Sequence, residues 1–76
     1  MDLSQLKIGE RAEIQSFTND EISVRLMEMG CIPGEIVQLI KIAPFGDPIS
    51  IQVAGYELSL RKKEAATVLV FRISGN

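Results

Sequence analysis

Few residues in this 76-residue chain could carry chemistry: Cys31, the neighbouring Met27, Glu28 and Met29, the distant Asp47, and the run Arg61, Lys62, Lys63. There is no histidine, so the chain lacks the side chain that shuttles protons near neutral pH and activates Ser or Cys nucleophiles. Cys31 would need a lowered pKa to attack a substrate, and the C-terminal end of a helix, where it is expected, raises that pKa instead. A structural thiol follows. The thioethers of Met27 and Met29 suit soft metal ions, but beside Leu26 on one helix they fit apolar packing better, and Glu28, Cys31 and Asp47 complete no familiar ligand set. A phosphate-cradling loop needs several glycines leading into a Lys-Ser or Lys-Thr pair, which residues 30–34 and 43–48 both lack. No catalytic residue, metal ligand or cofactor site is therefore assigned, and no enzymatic activity is expected. The basic run at 61–63 could hold a phosphate or an acidic surface, although three charges at a strand end are ordinarily a solvated rim.

With chemistry set aside, contact remains. Asn19 and Asp20 make an N-terminal cap, Glu21 adds a carboxylate to the first turn, and Gly30 stops the helix, which is expected over residues 20–29. At 100° per residue, Ile22, Leu26 and Met29 share one stripe, while Val24, Met27 and, if the turn continues, Cys31 lie roughly opposite. One sheet cannot cover both stripes. Either the IPG and APFGDP loops fold over the second, which a small domain short of apolar residues favours, or that stripe stays exposed for another protein. Pro44, Gly46 and Pro48 stiffen the second loop and put Phe45 at its apex, free to dock or to tuck back over the core. Candidate partner-binding residues are thus Val24, Met27, Cys31 and Phe45.

The elements that position these residues are mostly strands. Ala12 and Ile14, then Ile49, Ile51 and Val53, then Tyr56, Leu58 and Leu60 alternate with polar residues, the period of half-buried strands. Residues 35–42 and 67–73 are rich in β-branched side chains and too short for confident helices. Ala54 and Gly55 suit a tight hairpin tip, and residues 62–66 a single helical turn. Five strands, one helix after the first and a turn before the last predict an all-β class, a small SH3-like five-stranded barrel in one domain over residues 1–76. An OB-fold is disfavoured because its helix falls between the third and fourth strands.

Charge and cysteine content bound the setting. Residues 1–38 hold three basic and seven acidic side chains and residues 39–76 five and three, for a net charge of −2. That balance opposes sequence-independent binding to nucleic acid. A lone cysteine forms no internal disulfide, and the sequence shows neither a signal-peptide pattern nor a long apolar run. A cytoplasmic location without membrane insertion is expected, with self-association left open.

Three linked motifs resemble one family: RLMEMGCIPG (residues 25–34), APFGDP (43–48) and GYELSLRKKEA (55–65), preceded by LKIGERAEI (6–14). In this order and spacing they are similar to FeoA, the small cytosolic component of bacterial ferrous iron uptake. Residues 1–5 and the tail after Arg72 add nothing to the likeness. The resemblance implies an SH3-like domain that supports FeoB, a permease whose cytosolic portion binds and hydrolyses GTP. In that role the chain is an accessory, with Pro33-Gly34 and Gly46-Asp47-Pro48 shaping turns. A similar domain ends metal-dependent bacterial repressors, which makes a regulatory module the main alternative, with a small RNA-binding barrel behind it. Arg25 or Arg61 acting in trans on the permease's GTP is a further expectation.

Overall fold

In the computed structural model, which describes residues 1–73, the alternating segments become five antiparallel strands: β1 (Arg11–Phe17), β2 (Ile36–Ile42), β3 (Ile49–Val53), β4 (Tyr56–Leu60) and β5 (Val68–Ile73). Helix α1 (Asp20–Glu28) follows β1, and the short α2 (Lys62–Ala65) precedes β5. The strand order β4-β3-β2-β1-β5, with the last strand returning beside the first, is that of an SH3-like domain. Irregularities in register interrupt the β1–β5 pairing between Ile14 and Ser16 and the β2–β3 pairing between Leu39 and Lys41. Such bulges sharpen the bend of a sheet. One face can then close on a single core of Ala12, Ile14, Val37, Leu39, Ile49, Ile51, Val53, Leu60, Val68 and Val70.

Turn chemistry fixes the register. Val53 pairs with Tyr56 across Ala54 and Gly55, whose φ values are 52° and 87°. Two successive positive φ values are the geometry of a two-residue hairpin that matches strand twist. At the start of α1, the side chain of Asn19 accepts from the Ile22 amide at 2.9 Å, and Asp20 and Glu21 occupy the first turn. The helix ends one residue earlier than the sequence suggests, at Glu28.

The N-terminus is better integrated than its sequence implies. Residues Leu3–Gln5 form a 3-10 turn in which the Asp2 carboxylate accepts from the Ser4 amide and the Gln5 side chain accepts from the Asp2 amide. Leu3 and Leu6 are buried, Val70 N–H donates to the Met1 carbonyl at 2.9 Å, and Asp2 bridges to Leu69. These contacts cover part of the outer edge of β5, which would otherwise present unpaired backbone groups.

Candidate docking surface

Helix α1 presents one face to the core and leaves another bare. Leu26 and Ser23 are buried, and Ile22 and Met29 pack partly against the core. Ser23 is accommodated because its hydroxyl donates to the Asp20 carbonyl at 2.8 Å. Val24 and Met27 remain 55% and 38% exposed. The expectation that the flanking loops close over this stripe is therefore not met. Ile32, which carried no role in the sequence reading, adds a third exposed apolar side chain just beyond the helix. Its position between Cys31 and Pro33 in an irregular turn gave no periodic signal.

Cys31 does not share this surface. Gly30 adopts φ +99°, its amide donates to the Met27 carbonyl at 3.1 Å, and the Cys31 amide donates to the Leu26 carbonyl at 2.9 Å. This pair of bonds is a Schellman stop, in which a left-handed residue reverses the chain and turns the next side chain back toward the last helical turns. Cys31 is consequently fully buried among the core residues, and its inclusion among the docking residues is corrected. Desolvation pushes its thiol pKa up to about 11, because burial disfavours the thiolate. An inert thiol results.

Phe45 lies at the opposite extreme. Gly46 N–H donates to the Ala43 carbonyl at 2.7 Å and Ala43 N–H to the Pro48 carbonyl at 3.0 Å, closing a tight turn around Pro44 and Phe45. Proline in the second position and glycine in the fourth are the residues such a turn prefers. Phe45 is 99% exposed, so it does not tuck back over the core.

Polar contacts tie the two candidate regions to a common support. Glu64 of α2 accepts from the Arg61 amide at 2.9 Å and pairs with the Arg25 guanidinium of α1. The Asp47 carboxylate, two residues beyond Phe45, accepts from the Lys62 amide at 2.9 Å. Helix α1 and the Phe45 loop are thus each fastened to the same four-residue helix. Arg61, Lys62 and Lys63 are exposed. Among the described residues no group of three or more His, Cys, Asp or Glu side chains could hold a metal ion, and no helix is long and apolar enough to cross a membrane. The geometry offers apolar and charged contact.

Comparison with known proteins agrees with this architecture. A family model described as the FeoA domain matches residues 1–72, so it takes in the N-terminal segment that the motif resemblance leaves out. The chain is 34% identical over 77 residues to an Fe(2+) transport protein A/Fe(2+) transporter FeoB fusion protein of Porphyromonas gingivalis, covering all of this chain and 9% of that protein. Among solved structures, FeoA of Chlorobium tepidum superposes with a TM-score of 0.90 at 36% identity, over all of this chain and 73% of that one. A zinc complex of Stenotrophomonas maltophilia FeoA, described as a prokaryotic SH3 domain protein, gives 0.79 at 36% identity over 92% and 88% of the two chains. A manganese-dependent transcriptional repressor shares the fold alone, with a TM-score of 0.86 at 13% identity.

Proposed function

This chain belongs to the FeoA domain family, and on that premise we propose that it is a non-enzymatic cytosolic accessory of bacterial ferrous iron uptake, acting by contact with the cytosolic region of a FeoB-type permease. The observation that carries this reading is the Porphyromonas gingivalis relative, in which a like domain and FeoB share one polypeptide. Joining two modules in one chain keeps them at high effective concentration, an arrangement that rewards modules which work in contact.

A contact role also fits the side chains available. The chain has no histidine, and its one thiol is buried and held protonated at neutral pH. The exposed apolar residues Val24, Met27 and Phe45 supply the surface, with Phe45 as an aromatic anchor of the type that carries much of the energy in protein interfaces. Cys31 takes no part. Arg25 already faces the Glu64 carboxylate, so its use as a trans-acting finger on GTP would require breaking that pair. The repressor-module reading rests on a likeness of fold.

Capture of a full-length FeoB-type permease by the tagged chain tests the proposal. Val24→Glu, Met27→Glu and Phe45→Glu should each leave a folded domain and weaken capture about tenfold or more. Undiminished capture by all three folded variants refutes the assigned surface. No capture by the unaltered chain refutes the contact itself.

A further inference from the structure

Phe45 and the basic run are neighbours through one hydrogen bond. The Asp47 carboxylate accepts from the Lys62 amide at 2.9 Å, which fastens the Phe45 turn to the start of α2. Among the described residues three cations have carboxylate partners: Arg25 with Glu64, Lys41 with Glu57 and Arg72 with Glu10. Among the described residues Arg61, Lys62 and Lys63 have none, and all three are exposed. A fully exposed aromatic on a closed turn thus lies two residues from the carboxylate that joins the turn to this run of three cations.

We propose that Phe45 with Arg61, Lys62 and Lys63 forms a docking pad for an acidic protein segment, whose carboxylates flank an apolar socket for the Phe45 ring. This rests on the contact role proposed above and deepens it by naming the chemistry of the partner's surface. The charge distribution selects that occupant. The pad sets three cations against the Asp47 carboxylate, since Glu64 is already paired with Arg25, so it attracts an acidic partner. Complementary charge at a docking site orients an encounter and speeds association. The turn is already closed by its own hydrogen bonds, so little freedom is lost when the ring is buried. A polynucleotide or an anionic bilayer extends well beyond these three cations and would meet the rest of a chain of net charge −2, whereas a short acidic segment meets the pad alone.

The test titrates the full chain against a full-length FeoB-type permease at low and at raised salt, with circular dichroism confirming that each variant is folded. The double variant Lys62→Glu/Lys63→Glu should bind about tenfold more weakly and lose most of the salt dependence. Phe45→Ala should also bind about tenfold more weakly but keep the salt dependence. If both bind as the unaltered chain does while Met27→Glu fails to bind, the contact role stands and the pad is refuted. If the unaltered chain does not bind, both are refuted. Sedimentation of the unaltered chain with phosphatidylglycerol vesicles, lost in the double lysine variant, would assign the pad to lipid and overturn the proposal.

Discussion

The backbone amide of Cys31 donates to the carbonyl oxygen of Leu26 at 2.9 Å, and the two side chains lie fully buried in the same core. This bond, with the Gly30–Met27 bond beside it, ends the helix, turns the chain and places the thiol. It separates Cys31, which stabilises the domain by packing, from Val24 and Met27, which share its stripe in helical projection but face outward. The two roles respond differently to pH, to reagents and to truncation.

Burial raises the Cys31 pKa from its ordinary 9.0 to about 11. In the folded protein at pH 8, the thiol should therefore resist an aromatic disulfide reagent and react fully in denaturant. Between pH 9 and 11 the unfolded chain releases this proton first, so the stability gained from the neutral buried thiol is complete below pH 9 and is lost as pH rises through 11. The loss should approach about 3 kcal/mol. Urea midpoints across that range check it, and Cys31→Ala should show a shallower decline although it is less stable at neutral pH.

Truncating a core side chain and truncating the exposed aromatic should separate cleanly. Leu26→Ala removes a fully buried side chain and should cost about 2–5 kcal/mol, through lost transfer energy and a residual cavity. Phe45→Ala should change stability by less than about 0.5 kcal/mol, because Phe45 is 99% exposed. Denaturant titration of the two variants measures both. A large loss for Phe45→Ala would mean that the ring supports the fold.

Most of the scaffold is legible in the sequence because its signals are local. Ile49, Ile51 and Val53 alternate with polar residues and are all buried, and Ala54-Gly55 makes the predicted hairpin. Asn19 and Gly30 bracket the helix by cap chemistry. A projection at fixed angle misplaces Cys31 because it runs on through Gly30, whereas positive φ there reverses the chain. The exposure of Met27 and Phe45 depends on where the loops travel in space, which no periodicity encodes. The burial of Leu3 and Leu6 is not legible in the sequence because it depends on contact with distant parts of the chain, of which the Met1–Val70 hydrogen bond is one.

Two glycines with nearly equal φ should tolerate alanine unequally. Gly30 and Gly34 sit at φ +99° and +97°, so alanine at either incurs a left-handed penalty of about 1–2 kcal/mol. A Cβ on Gly34 meets nothing within 4 Å, whereas one on Gly30 would lie 3.1 Å from the Ala54 Cβ and 3.4 Å from the Tyr56 hydroxyl. Gly30→Ala should therefore cost about 1–3 kcal/mol more than Gly34→Ala, the range for overpacking. Equal midpoints in urea would show that the hairpin tip yields without cost.

Ala54 is the partner in that contact and carries its own strain, as the one described non-glycine residue with positive φ, at 52°. Ala54→Gly should raise stability by about 0.5–1 kcal/mol, since the left-handed conformation suits glycine and the hairpin geometry is unchanged. It also removes the Cβ that a side chain at position 30 would strike. In the Ala54→Gly background, most of the extra cost of Gly30→Ala over Gly34→Ala should vanish, leaving mainly the conformational penalty common to both. A double-mutant cycle on stability isolates this coupling. A coupling near zero would mean that the Tyr56 hydroxyl, not the Ala54 methyl, holds the end of the helix against the hairpin.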